Sequence, residues 1–257
     1  MLGAIAGDII GSVHEFIGTK TKDFPLFVPE SKLTDDTVLT GAVADWIMTG
    51  RDLVDRLHAY TRDYPDCSYG LGYRKWAASG SREPYGSYGN GSAMRVSPVG
   101  FAFDTIEEVL SWAERSAVVT HNHPEGIRGA QATAAAIFYA RRTKDKDAIH
   151  RKLELGFGYD LDQQLDDIRP AYRFNETCQE TVPQALIAFL ESTSYEDAVR
   201  NAVSLGGDAD TLACITGGIA EAYYGGVPEE ILGPSMKLLD ERLRTVVNGF
   251  RERFLLA

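Results

Sequence analysis

Two short acidic motifs, each feeding an apolar run, constrain this chain more than any other feature. Thr34-Asp35-Asp36-Thr37 opens the stretch from Val38 to Trp46, and Gly206-Gly207-Asp208-Ala209-Asp210-Thr211 opens the stretch from Leu212 to Ala220. Each reads as a tight turn entering a helix with carboxylates crowded into the first turn. Part of this is ordinary capping, because Asp and Thr accept from free N–H groups at a helix start and Asp complements the helix dipole. Capping needs a single side-chain oxygen, however, and each motif supplies two carboxylates and a hydroxyl.

Taken together, Thr34, Asp35, Asp36, Asp208, Asp210 and Thr211 form an all-oxygen donor set of the kind that Mg2+ or Mn2+ prefers. If the fold joins the two helix starts, a pair of cations about 3.5–4 Å apart is the expected occupant. An EF-hand is excluded: counted from Asp208, the fifth and twelfth positions of the loop are Leu212 and Ile219, where oxygen ligands are required.

The rest of the chain predicts helices. Met236, Leu239, Leu243, Val246, Val247, Phe250 and Phe254 recur at helical spacing near the C-terminus. Thr105 with Glu108, and Thr181 with Gln184 and Pro183, predict capped helix starts, and Ser194 with Asp197 a looser one. The Ala-rich residues 126–142 predict a buried, closely packed helix. No stretch alternates with period two, and no repeat, low-complexity tract or linker-like shift in composition interrupts the chain. The expected fold is all-α, one domain spanning 1–257 with ten or more helices. Residues 13–33, 81–92 and 156–180, rich in Gly, Pro and aromatics, resist helix assignment and are expected at the rim of a site.

Composition narrows the function. With 44% hydrophobic and 25% charged residues the chain is long enough for a substantial core. A net charge of −11 without a Lys/Arg cluster argues against direct nucleic-acid binding. Cys67, Cys178 and Cys214 lack a CxxC spacing and leave an odd thiol, which fits a reducing, cytoplasmic setting. The apolar N-terminus lacks a basic leader, and no run reaches membrane-spanning length, so a soluble protein is expected.

Between the acidic motifs, Tyr85-Gly86-Ser87-Tyr88-Gly89-Asn90-Gly91-Ser92 exposes backbone N–H groups with little steric cost. Such a nest suits a pyrophosphate, though the spacing is neither that of a Walker A loop nor of a dinucleotide fingerprint. His121 and His123, two apart and without a cysteine, are poor zinc spacing.

Gly7-Asp8 with Gly11 and Glu15, TDDT at 34–37, YGNGSAMR at 88–95, THNHPEG at 120–126 and GGDADT at 206–211 together resemble, in order, the ADP-ribosylglycohydrolase family. The resemblance spans nearly the whole chain and implies a compact helical hydrolase with two Mg2+ or Mn2+ ions on the six oxygen donors above. It implies Glu15, Asp35 and Asp208 as catalytic groups, Glu15 as general acid/base or gate, and Asp8 as a support bonding to the helix starts. Gly86, Ser87, Tyr88, Gly89, Asn90 and His121 are implied as substrate contacts, with Tyr88 stacked on adenine. Where relatives carry a second adenine-stacking aromatic this chain has Arg82, so guanidinium stacking or another loop would hold the base's far face. The implied partner is an ADP-ribosylated protein or small-molecule conjugate, cleaved at the glycosidic bond to the terminal ribose. Similarity to the bacterial branch and the acidic balance favour ADP-ribosyl-arginine. ADP-ribosyl-serine, O-acetyl-ADP-ribose, a metal-dependent phosphohydrolase and a non-catalytic ADP-ribose-binding module are the alternatives.

Overall fold

In the computed structural model, which describes residues 1–254, α-helices carry the fold and no strand is present among the described residues. The first six helices are α1 (Leu2–Gly11), α2 (Asp35–Thr49), α3 (Leu53–Asp63), α4 (Leu71–Ser79), α5 (Gly91–Met94) and α6 (Ser97–Ala102). The next five are α7 (Ile106–Val118), α8 (Pro124–Arg142), α9 (Lys146–Phe157), α10 (Leu165–Ile168) and α11 (Cys178–Leu190). The chain continues through α12 (Tyr195–Val203), α13 (Ala209–Tyr224), α14 (Glu229–Leu238) and α15 (Glu241–Phe254). An isolated antiparallel bridge joins Gly89 to Thr177.

The core is built around α1 and α13. Both are buried along almost their whole length, so neither needs a polar face. Ile5, Ile9 and Ile10 are buried, and burying each contributes about 1.5–3 kcal/mol. Gly3, Gly7 and Gly11, one turn apart on α1, let its backbone rest directly on α13. A Cβ on Gly7 would lie 2.0 Å from the Ala213 carbonyl oxygen, and one on Gly11 2.5 Å from that of Ala209. The Ala-rich helix α8 is buried as expected, with Ala130, Ala132, Ala134, Ala135, Ala136 and Ala140 all inaccessible.

Thr105 and Ser194 cap α7 and α12 through the N–H groups of Glu108 and Asp197, as expected. Two readings are corrected. The helix expected at Thr181 starts at Cys178, which puts Thr181 and Pro183 inside it; Thr177 and Asn175 shape the entry, with Asn175 Oδ1 accepting from the Thr177 N–H and hydroxyl. The C-terminal periodic stretch is two helices. Leu239 is extended (ψ 141°), and Asp240 restarts the helix by accepting from the Leu243 N–H at 2.9 Å. Apolar spacing runs through such a break unaltered because Leu239, within it, is buried like Leu243, Val247 and Phe250 after it. Residues 13–33 hold no helix, whereas 81–92 runs into α5 at Gly91 and 156–180 contains the end of α9, all of α10 and the first turn of α11.

Candidate active site

Asp8, on α1, reaches across to the start of α2. Its carboxylate accepts from the Thr34 N–H at 3.1 Å, the Thr34 hydroxyl at 2.7 Å, the Thr37 N–H at 3.1 Å and the Thr37 hydroxyl. Burial pushes this carboxyl above its ordinary pKa, and the threonine bonds partly offset the push. The same helix lies against α13 along its glycines. One helix therefore holds both acidic N-termini, and Thr211 Oγ1 meets Asp36 Oδ1 at 3.4 Å.

The two motifs open onto a cavity of about 260 Å³. Asp35, Asp36, Asp208, Asp210 and Thr211 line it, joined by Glu15 from the loop after α1 and Glu176 from the loop before α11. Thr34 does not line it. The Thr34 hydroxyl caps α2 through the Asp36 N–H while donating to Asp8, which leaves it one free lone pair. All three loops expected at a rim contribute: Glu15 from 13–33, Ser87, Gly89 and Asn90 from 81–92, and Glu176 from 156–180.

Negative charge dominates this space. The lining has six carboxylates, and Arg95, buried beneath it, is its single Lys or Arg. Burial, followed by mutual repulsion, raises Asp35, Asp36 and Asp210 well above the ordinary carboxylate range. Burial pushes Asp208 to about 6 against hydrogen bonds from Asp210 and Asn90. Glu15 is pushed to about 8 by burial, then by Asp210, Glu176 and Asp8. Asp36 Oδ2 is buried without any hydrogen-bond partner. Oxygens of Glu15, Asp208 and Asp210 lie within 4.8 Å of one another. A cluster of buried, mutually repelling oxygens with an orphaned acceptor fits hard divalent cations.

The glycine loop 85–92 is partly as expected. Asn90 donates to Asp208 Oδ2 at 2.7 Å and to Thr181 Oγ1 at 3.1 Å, so it orients an acidic-motif carboxylate. The open nest of N–H groups is absent, because internal acceptors use four of them. Gly86 N–H goes to Asn122 Oδ1, Ser87 N–H to the Thr120 carbonyl, Gly89 N–H to Ser87 Oγ and Asn90 N–H to the Glu176 carbonyl. Gly86 and Tyr88 stand outside the cavity lining; the half-exposed Tyr88 ring lies 5.3 Å from that of His123. His121 lines the cavity, with Nδ1 on Thr120 Oγ1 at 2.7 Å. Burial and then the Arg95 charge hold it neutral.

Sequence reasoning missed Tyr73, Tyr85, Arg95 and Glu176 as parts of this cavity. Arg95 ends a motif already singled out, and Tyr85 and Glu176 lie in loops expected at the rim, but nothing in the local pattern showed which side chains turn inward. Arg82 also stands outside the cavity lining, where it pairs with Asp52 at 2.7 Å and with Asp55.

The architecture defines a class, an all-α protein whose buried carboxylate cavity sits where two helix N-termini meet. The sequence profile of the ADP-ribosylglycohydrolase family matches residues 1–255. The chain belongs to that family of enzymes, which act on glycosyl bonds. It is similar to mouse ADP-ribosylhydrolase ARH3, at 27% identity over 100% of this chain and 88% of the relative. The ADP-ribosylarginine hydrolase Tri1 of Pseudomonas putida is 27% identical over 90% of this chain and 71% of its own length. A solved structure described as an ADP-ribosylglycohydrolase-related protein complex superposes with a TM-score of 0.67 at 27% identity, covering 98% of this chain and 96% of that one. Among the described residues no helix is long and apolar enough to cross a membrane.

Proposed function

We propose that this chain hydrolyses the glycosidic bond between ADP-ribose and its acceptor, using two Mg2+ or Mn2+ ions, and that the acceptor is arginine. The observation that carries the metal-dependent reading is the orphaned Asp36 Oδ2 among carboxylates contributed by both acidic motifs. Asp35, Asp36, Asp208, Asp210 and Thr211 would hold the cations, with Thr34 entering through its remaining lone pair. Bound there, the cations supply Lewis acidity that orients the ribose hydroxyls and activates water.

The chain's own groups have separable tasks. Glu15, half buried at the cavity beside Asp208 and Asp210, is placed for proton transfer at the leaving group. Asp35 and Asp208 put negative charge beside the ribose, where an oxocarbenium-like transition state gains from it. Asn90 fixes the Asp208 carboxylate, and the neutral His121 presents a hydrogen-bonding edge to the sugar or phosphates. The cavity is at the small end for ligand pockets. It suits the terminal ribose and its phosphate, with Ser87 and Gly89 alongside and the base outside against Tyr88, next to Gly86.

Arginine is favoured by the exposed Glu176 beside Glu15 at the mouth, which attracts a guanidinium, and by the likeness to Tri1. Matched ADP-ribosyl-arginine and ADP-ribosyl-serine peptides, with and without chelator, test this. Intact ADP-ribose should be released, arginine should be preferred, and chelator should stop the reaction. Release of AMP instead would make the site a phosphohydrolase, and a serine preference of about tenfold, about 1.4 kcal/mol, would refute the arginine assignment.

A further inference from the structure

A second cluster of ligand-bearing side chains lies on α9, away from the carboxylate cavity. His150 and Glu154 stand one turn apart and so share a face of the helix. Gly158, in the left-handed region at φ 66°, ends the helix and turns the chain back. The returning loop puts Asp162 over that face, and the Leu161 N–H donates to Glu154 Oε1 at 3.3 Å, fixing the carboxylate. His150 Nε2 is 3.2 Å from Glu154 Oε1 and 3.6 Å from Asp162 Oδ1. One ligand atom from each residue lies within 4.8 Å of the others.

The direction of these contacts is as informative as their length. His150 Nε2 is shielded from solvent, yet it makes no hydrogen bond to either carboxylate. In an ion pair the imidazole N–H would point at an oxygen. Around a metal the donors instead surround a common point, which sets how far apart they lie. Tetrahedral Zn2+, with bonds of about 2.0–2.2 Å, separates its ligand atoms by about 3.4 Å. The two observed separations bracket that value.

We propose that His150, Glu154 and Asp162 form a Zn2+ site, with water completing the coordination. One imidazole and two carboxylates suit a borderline cation, whereas Mg2+ prefers the all-oxygen set in the cavity. The ion fastens the 158–164 loop to α9, ahead of the segment that leads to Glu176 at the cavity mouth. The site stands apart from the proposed catalytic cations and does not depend on them.

The test is a Zn2+ titration of the chelator-stripped chain against a chromophoric competitor, at about pH 7.5 with excess Mg2+ present. The unaltered chain should take up Zn2+ that His150→Ala and Asp162→Asn bind about tenfold more weakly or worse. Asp162 is exposed, so its substitution leaves folding intact. Asp35→Asn should keep this uptake, and acidification should release the ion as protons compete for the imidazole. Zn2+ affinity in the His150 and Asp162 variants equal to that of the unaltered chain overturns the site. So does an unaltered chain that binds none, or uptake that disappears in Asp35→Asn and survives in His150→Ala.

Discussion

Thr211 donates its hydroxyl to Asp36 Oδ1 at 3.4 Å, a contact between residues 175 positions apart that both line the carboxylate cavity. Neither helix start reaches the other alone. Asp8 ties α2 to α1 through four hydrogen bonds, and the glycines of α1 lay it flat on α13. The most buried helix of the fold therefore sets the spacing of the reactive groups.

Replacing a cavity carboxylate should separate stability from activity. Asp36→Asn keeps the Thr34 cap of α2, which uses the Asp36 backbone N–H, and removes one of the repelling charges. The metal-free variant should melt no lower than the unaltered protein, gain less from Mg2+ and lose turnover. Full activity of this variant in excess EDTA would end the two-cation reading.

The metal-free protein should lose stability as pH rises. Folding raises Asp208 to about 6 and Glu15 to about 8, so the folded state holds protons that the unfolded chain has released. The associated stability is fully present below the ordinary carboxylate range and is lost through about pH 6 and then about pH 8. Thermal melts in EDTA should show a higher midpoint near pH 5 than near pH 8, and saturating Mg2+ should flatten the difference. A midpoint that climbs over this window in EDTA contradicts the repulsion.

Gly7→Ala tests the contact between α1 and α13. The added methyl meets the Ala213 carbonyl oxygen, part of a helix backbone with no room to yield. A loss of about 1–3 kcal/mol is expected, or about 2–12 °C in melting temperature. Turnover should fall as well, because the two acidic motifs are pushed apart. An unchanged melting curve would mean that the helices are not packed this closely.

ADP-ribose should bind more tightly than AMP, which lacks the terminal ribose. At about 100 times its Kd it should add about 2.7 kcal/mol of stability. Tyr88→Ala should cost about 1–3 kcal/mol of that binding through lost base stacking, and Tyr88→Phe almost nothing. If Tyr85→Ala costs more than Tyr88→Ala, the base lies inside the cavity against Tyr85 instead.

The sequence by itself determined what depends on neighbours along the chain. Thr34 and the Asp208–Thr211 turn open helices because their side chains and backbones act within one turn. The Ala-rich stretch becomes a buried helix for the same local reason, small side chains at good helical propensity. Family membership was legible too, since it lies in the order of whole motifs. Apolar spacing ran across the break at Leu239 and Asp240, and the capping pattern at Thr181 proved internal, because such patterns also occur inside helices and across turns. Only the tertiary structure decided that Glu15, Glu176 and Arg95 share the cavity with both acidic motifs, and that Tyr88 and Thr34 lie outside its lining. Those placements follow from a backbone-to-backbone contact along Gly3, Gly7 and Gly11 and from one buried carboxylate, Asp8. Their partners are distant in sequence, and a single chain's pattern carries no record of which glycine meets which carbonyl.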